Sequence, residues 1–93
     1  MEITYDPAKD AANQAKHGVS LALAAELEWD TLWAEADTRR HYGETRHIGY
    51  AVLEGRLYCV VFTDRGEGEA MQRRIISLRK ANPREVKRYA TND

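Results

Sequence analysis

The side chains best suited to chemistry in this sequence are its arginines and lysines, and half of them lie close to the C-terminus. The stretch RRIISLRKANPREVKRY, residues 73–89, contains seven of the 14 Lys and Arg residues, although the formal net charge of the 93-residue chain is only −1. An arginine presents a planar fork of N–H groups that pairs with two phosphate oxygens and stays charged at physiological pH. This concentration of cations therefore favours a phosphate-binding surface.

The two halves of the chain also differ in charge. Residues 1–46 carry nine acidic and five basic side chains, whereas residues 47–93 carry six acidic and nine basic ones. The C-terminal half is thus cationic by three charges, which favours a polyanionic partner if the fold gathers these groups on one side.

Cleavage of an RNA phosphodiester without a metal ion requires three kinds of group. These are a base near the ribose 2′-OH, cations that stabilise the pentavalent phosphorane, and an acid for the leaving 5′-oxygen. Arginine suits the second role, and His17 is a candidate for proton transfer. Helical spacing predicts that one polar face carries Lys9, Asn13, Lys16 and His17, which is a first indication of a site.

His17 has a second interpretation, which the sequence leaves open. A histidine at the C-terminal end of a helix, next to Gly18, can simply bond the last carbonyls of that helix. The helix dipole would favour its protonated form, which suits an acid better than a base.

Other classes of chemistry have little support. Cys59 lies in an apolar run, where we expect a buried thiol that acts as a small hydrophobic side chain, and the chain has no second cysteine. The histidines and the cysteine show no metal-ligand spacing, so we expect no metal site and no cofactor. The sequence lacks an apolar span and a signal-peptide pattern, which predicts a cytoplasmic protein without membrane association.

One α+β domain that spans residues 1–93 is expected to position the candidate groups. The predicted order of elements is β-α-α-β-β-β-β-α, with a mostly antiparallel sheet, two N-terminal helices packed on it and a C-terminal helix.

The two N-terminal helices have recognisable ends. Asp6 as the N-cap, a proline at the first helical position and Gly18 as the stop delimit a helix over residues 7–17. Its small apolar residues, which should face the sheet, are Ala8, Ala11, Ala12 and Ala15. Ser20 can cap a second helix that should run to about residue 29.

The strands centre on a hairpin at residues 46–63, where two apolar runs are joined by Glu54-Gly55. The second arm, residues 57–63, is apolar on both faces, which predicts a central strand covered on both sides. The aromatic residues that we expect in the core rather than as base-stacking platforms are Trp29, Trp33, Tyr50, Phe62 and Tyr89.

A further strand carries the basic segment RRIISLR. Without a bulge, alternation sends Arg73, Ile75, Ser77 and Arg79 to one face and Arg74, Ile76, Leu78 and Lys80 to the other. Two interpretations stay open: these arginines frame the strand ends in solvent, or Arg65, Arg74 and Arg79 meet over one surface of the sheet.

The C-terminal helix should begin with a capping box formed by Asn82 and Glu85. Its buried stripe is predicted to consist of Val86, Tyr89 and Ala90, which would attach the helix to the core.

Five segments, taken in order, resemble the BrnT toxins of bacterial type II toxin–antitoxin pairs, small proteins similar in fold to the RelE ribonucleases. They are YDPAKDAANQAKHGVS, WDT, DTRRHYGETRHIGY, LEGRLYCVVFTDRG and RIISLRKANPREVKRY, and the span from the first to the last, residues 5–89, is nearly the whole chain. One departure from the family pattern is a longer connection after Gly66, which adds Glu67 and Glu69. These two acids would repel RNA or contact an antitoxin.

The resemblance implies a RelE-like fold and a toxin that degrades RNA and arrests growth. A small BrnA-like antitoxin with a DNA-binding segment would hold it inactive, so that operator DNA is bound only through the complex. The characteristic polar residues of the family fall on Lys9, Asn13, Lys16, His17, Glu44, Arg46, Arg65, Arg74, Ser77, Arg79, Lys80 and Glu85.

We therefore expect a metal-independent endoribonuclease whose catalytic residues are His17, Arg65 and Arg79. The residues expected to hold the RNA backbone are Lys9, Lys16, Arg46, Arg74 and Lys80. The alternative is a non-catalytic binding module whose cationic surface docks an antitoxin or a nucleic acid.

Overall fold

The computed structural model describes residues 1–91 and has the predicted α+β class. The strands are β1 (Glu2–Tyr5), β2 (Glu28–Ala36), β3 (His47–Leu53), β4 (Arg56–Arg65) and β5 (Gln72–Lys80), and the α-helices are α1 (Pro7–His17) and α2 (Pro83–Thr91). Short 3₁₀ turns occupy Leu21–Glu26 and Gly68–Ala70. Within the described part of the chain, no helix is both long and apolar enough to cross a membrane.

The five strands form one sheet in the order β1-β5-β4-β3-β2. The prediction that the second hairpin arm is a central strand is confirmed, since β4 lies in the middle. The pairs β2–β3, β3–β4 and β4–β5 are antiparallel, but β1 runs parallel to β5. The sheet is therefore mixed: most of its pairs are antiparallel as expected, but the parallel pair of β1 and β5 was not predicted. The reason is that β1 adds to the free edge of the last strand instead of pairing with a sequence neighbour.

The core has two layers, one on each face of the sheet. We call the face that carries Val60, Phe62, Ile75 and Leu78 the Leu78 face; the 3₁₀ turn at Leu21–Glu26 covers it. We call the other the Cys59 face; its buried cluster consists of Tyr50, Leu57 and Cys59, with Tyr89 of α2 packed against it. Cys59 is buried as expected, and its burial raises the pKa of the thiol.

The prediction of a second N-terminal α-helix up to about residue 29 is wrong. The chain forms only the 3₁₀ turn Leu21–Glu26 before it enters β2. Ser20 caps this turn as expected, with its Oγ accepting from the amide of Ala22. The turn ends early because Trp29 belongs to β2, where its indole donates to the carbonyl of Ala24.

A bulge in β5 changes which faces its basic residues occupy. Val61 pairs with Ser77 but Phe62 pairs with Ile75, so Ile76 has no partner of its own in β4. The consequence is that Arg74, Ser77 and Arg79 share the Cys59 face, whereas Arg73, Ile75, Leu78 and Lys80 share the Leu78 face. The simple alternation expected along β5 is thus interrupted at Ile76.

Helix α1 lies along the part of β5 that β1 leaves unpaired, and Asn13 makes the connection. Its side-chain Nδ2 donates to the carbonyls of Leu78 and Val19, both at 2.8 Å, and its Oδ1 accepts from the amide of Leu78 at 3.2 Å. Only 6% of Asn13 is exposed. The alanines predicted to face the sheet, namely Ala8, Ala11, Ala12 and Ala15, are exposed instead.

Helix α2 begins with the predicted capping box. The amide of Glu85 donates to Oδ1 of Asn82, and the amide of Asn82 donates to Oε1 of Glu85. The predicted buried stripe is only partly present, since Val86 is 45% exposed and Ala90 is also exposed. Polar contacts replace it, including a hydrogen bond from the hydroxyl of Tyr89 to the carbonyl of Thr31.

Replacement of Asn13 by alanine should lower the free energy of unfolding by about 2–3 kcal/mol, because it leaves buried backbone groups of Leu78 and Val19 without partners. Urea denaturation measures the effect. The exposed neighbour Gln14 supplies the control, and Gln14→Ala should cost no more than about 0.5 kcal/mol. Equal losses in the two variants would show that the Asn13 amide does not hold α1 to β5.

Candidate functional site

The Cys59 face carries three of the arginines singled out in the sequence. Arg79 pairs with Cys59, Arg74 pairs with Thr63, and Arg65 lies at the end of β4 opposite Gln72. Because directly paired residues of antiparallel strands point to the same side, all three arginines project from one face.

These arginines do not meet at one point. Arg65 is six positions further along β4 than Cys59, the partner of Arg79, which corresponds to about 20 Å at the rise of a β-strand. Of the two interpretations left open by the sequence, the one in which Arg65, Arg74 and Arg79 meet over one surface is thus only partly correct, because they share a face but are spread along it. A single phosphate cannot contact both Arg65 and Arg79.

Arg65 belongs to a cluster at the far end of the sheet. Its Nη2 donates to Glu44 at 2.9 Å, and the same carboxylate lies 3.8 Å from Nε of Arg46. The guanidinium of Arg46 also packs over the ring of Tyr42, at 4.1 Å from its centroid. Arg46 and Arg65 are thus held next to each other by one shared carboxylate.

Arg79 is fixed by α2. Its Nη1 and Nη2 donate to the two carboxylate oxygens of Glu85 at 2.8 and 2.9 Å, and Nη1 also donates to the carbonyl of Lys80 at 3.3 Å. The hydroxyl of Tyr50 donates to the same carboxylate at 3.0 Å. About a third of the Arg79 side chain, 34%, is exposed.

The pKa values follow from this arrangement. The hydrogen bonds from Arg79 lower the pKa of Glu85 to about 2, so this carboxylate is charged at neutral pH. Burial is the main reason why the pKa of the Tyr50 hydroxyl rises to about 12, which keeps it protonated and able to donate to Glu85.

His17 lies at the end of α1, beside the bulge of β5. A cleft of about 200 Å³ separates the helix from the strand. The residues that line it are Lys9, Ala12, Asn13, Lys16, His17, Ile76 and Ser77. The cleft therefore joins three predicted site residues, Lys9, Lys16 and His17, to the strand that carries Arg79.

The protonation of His17 differs from the expectation. Partial burial, together with the charges of Lys16 and Arg79, holds the pKa of His17 below its ordinary value. These effects favour the neutral imidazole, which is a proton acceptor, rather than the protonated form expected from the helix dipole. The helix end is closed by the backbone, with Gly18 donating to the carbonyl of Gln14, and no side-chain bond from His17 to a helix carbonyl is found in residues 1–91.

The remaining predicted cations lie in different surroundings. Arg74 is on the Cys59 face, with Nη2 at 3.9 Å from the carboxylate of Asp6. Lys80 is exposed on the Leu78 face, so the structure does not bring it to the surface that carries Arg74 and Arg79. Lys80 directly follows Arg79 in a regular part of β5, so the two point to opposite faces, and the bulge at Ile76 brings Arg74 to the face of Arg79.

Two contributors to the site were not identified as such from the sequence. Glu85 was predicted as a capping residue, but its contact with Arg79 joins groups that the sequence cannot place together. Tyr50 was expected only as a core residue, although its hydroxyl completes the set of donors to Glu85. The sequence signals that pointed to Glu85 were the capping box and its place among the polar residues characteristic of the resembled family, and neither indicated a contact with Arg79.

The cleft beside β5 contains the imidazole of His17, whose neutral form is favoured, the ammonium group of Lys16 and the hydroxyl of Ser77. The same strand carries the guanidinium of Arg79, which Glu85 holds in place. A neutral imidazole can accept a proton from a hydroxyl. A guanidinium can stabilise negative charge that develops on a phosphate. These are two of the three functions required to cleave an RNA phosphodiester.

Residues 5–85 match a family model described as the ribonuclease toxin BrnT of type II toxin–antitoxin systems. No curated protein matches the chain.

The pKa of His17 should lie below the value of about 6.5 that is typical of an unperturbed histidine. Lys16→Gln should raise it toward that value, because the variant removes a nearby like charge. An NMR titration of the imidazole measures both. Arg40→Gln is the control. It removes a charge in the loop between β2 and β3, at the end of the sheet away from His17, and should leave the pKa of His17 unchanged. A pKa above 6.5 in the unmodified protein would contradict the role of His17 as a neutral acceptor.

Proposed function

The chain belongs to the BrnT family of ribonuclease toxins of type II toxin–antitoxin systems, and we propose that it cleaves RNA through attack of a ribose 2′-OH on the adjacent phosphate, without a metal ion. Membership of this family implies an RNA target and an antitoxin partner. The observation that carries the proposal is the cleft that His17 and Lys16 share with Ser77 of β5, two residues before Arg79 on the same strand.

The proposed reaction assigns one step to each group. The neutral imidazole of His17 accepts the 2′-OH proton while the 2′-oxygen attacks phosphorus, and Arg79 stabilises the negative charge of the phosphorane. The bond between phosphorus and the 5′-oxygen then breaks, and the departing oxygen takes up a proton, for which Lys16 offers an ammonium group in the same cleft. The products are a 2′,3′-cyclic phosphate and a 5′-OH.

The other cations are assigned to the RNA backbone. Arg74 extends the cationic surface from Arg79 along the Cys59 face, and Arg46 and Arg65 continue it at the far end. Arg65 was expected to be catalytic, but we assign it to RNA binding, because about 20 Å of sheet separates it from Arg79. Lys9 holds the backbone where it enters the cleft, and Lys16 does so in addition to its role as the proton donor.

We further propose a BrnA-like protein as the antitoxin. In this arrangement the toxin has no DNA site of its own, and operator DNA is bound only through the complex, in the cytoplasm. An antitoxin segment rich in acidic side chains would complement the arginines of the Cys59 face and compete with RNA for them.

The proposal predicts discrete cleavage of a defined single-stranded RNA by antitoxin-free protein in the presence of a chelator, with 2′,3′-cyclic phosphate at the fragment ends. His17→Ala and Arg79→Ala should each slow cleavage at least about 100-fold, because each removes a group that acts in the transition state. Arg56→Gln is the matched control, since Arg56 is exposed beside the β3–β4 turn and pairs with Leu53 on the Leu78 face. Mass spectrometry of the fragments identifies the ends.

Full cleavage rates in folded His17→Ala and Arg79→Ala proteins would refute these catalytic assignments. Intact RNA after incubation with a preparation that still binds its antitoxin tightly would favour the alternative of a non-catalytic binding module.

The division of β5 between two faces gives a separate prediction about RNA binding. Arg74→Gln should weaken binding of a 2′-O-methyl RNA, which cannot be cleaved, by about 3- to 10-fold and should reduce its salt dependence. Lys80→Gln should have a smaller effect, because Lys80 points to the opposite face. Fluorescence anisotropy at several salt concentrations measures both, and a larger effect of Lys80→Gln would contradict the proposed RNA surface.

A further inference from the structure

The guanidinium of Arg79 has a defined set of occupied and unoccupied donors. An arginine side chain carries five N–H groups. Three of those in Arg79 are engaged: one on Nη1 and one on Nη2 with the carboxylate of Glu85, and the second one on Nη1 with the carbonyl of Lys80. Within residues 1–91, no protein acceptor is found for the N–H of Nε or for the second N–H of Nη2.

The two remaining N–H groups lie on the same edge of the planar guanidinium. Nη1 is occupied on both sides, so the unoccupied donors form the side-on pair of Nε and Nη2. Such a pair is a fork that matches two oxygens of a phosphate. Glu85 therefore binds the Nη1–Nη2 end of the guanidinium, and the Nε–Nη2 edge remains available to a phosphate.

Glu85 is itself held in place on both of its oxygens. Oε1 accepts from the amide of Asn82 at 2.9 Å and from Nη1 of Arg79, while Oε2 accepts from the hydroxyl of Tyr50 and from Nη2 of Arg79. One of these donors belongs to the cap of α2 and another to β3. The carboxylate is thus fixed by α2 and β3, and it in turn fixes the guanidinium of the partly exposed Arg79.

From these contacts we propose that Glu85 is a positioning residue for RNA cleavage, which holds the end of the Arg79 guanidinium so that its side-on N–H pair meets the scissile phosphate. This inference rests on the proposed function. The competing interpretation of the same contacts is that Glu85 neutralises Arg79 and blocks phosphate binding. The two interpretations predict opposite changes when the charge of Glu85 is removed.

Glu85→Gln is the informative variant because glutamine also serves at this position of a capping box. The cap of α2 should survive, while the bidentate contact with Arg79 is reduced to a single acceptor. We expect kcat to fall about 10- to 100-fold, the loss typical of a misplaced catalytic group, with little change in KM. An increase in cleavage or in RNA affinity would overturn the proposal in favour of the blocking interpretation.

Glu35→Gln is the matched control. Glu35 also pairs with an arginine of α2, since its carboxylate lies 3.4 Å from Nη2 of Arg88, but it makes no contact with Arg79. The variant applies the same chemical change to another ion pair of the same helix and should leave kcat unchanged. An equal loss of kcat in both variants would mean that any loosening of α2 is sufficient and would refute a specific role of Glu85.

A double-mutant cycle separates action through Arg79 from an independent effect. In an Arg79→Lys background the guanidinium fork is absent, so Glu85→Gln should cause no further loss of kcat. A full additional loss in that background would contradict positioning through Arg79. Urea denaturation confirms that each variant is folded, and Tyr50→Phe, which removes one donor to Glu85 but leaves the charge, should give a smaller effect of the same kind.

An NMR measurement tests the positioning without any dependence on cleavage. Rotation of the Arg79 guanidinium should be slow in the unmodified protein and in Glu35→Gln, and fast in Glu85→Gln. Free rotation in the unmodified protein would refute the inference even if RNA is cleaved. Hindered rotation in a protein that cleaves no RNA would instead support the contact between Glu85 and Arg79 but refute the proposed function.

Discussion

The amide side chain of Asn13 takes the place of a neighbouring strand along the unpaired part of β5. It both donates to and accepts from the backbone of Leu78, as a strand residue would, and its second donor reaches Val19 at the start of the next turn. Because α1 presents mainly exposed alanines and charged residues, little apolar packing fixes its position. The placement of His17 beside the strand that carries Arg79 therefore depends on this buried amide.

The cations of the site are accompanied by acids, which explains how a basic surface occurs in a chain of almost zero net charge. The pairs are Arg65 with Glu44, Arg74 with Asp6 and Arg79 with Glu85. Such pairing weakens attraction at long range and leaves oriented donors at short range. Recognition of a phosphate on this surface would then depend more on geometry than on the number of positive charges.

Local signals in the sequence predicted local structure well. The ends of α1, the hairpin at Glu54-Gly55, the central position of β4 and the capping box of α2 all follow from residues close together in the chain. The parallel pairing of β1 with β5 joins residues that are 70 positions apart, for example Glu2 and Gln72, and no local pattern reveals it. The contact between Glu85 and Arg79 was missed for a related reason: each residue had a sufficient explanation on its own, as a cap and as a strand cation.

The extra residue at Ile76 also affects how the sequences of relatives should be compared. Ile75 and Leu78 lie on one face although three positions separate them, so β5 has in effect absorbed a one-residue insertion. A relative that lacks this residue could form a regular strand and still direct the counterparts of Arg74 and Arg79 to the same side. A gap in an alignment therefore belongs at Ile76, and a gap placed elsewhere in β5 would match core positions of one protein with surface positions of another.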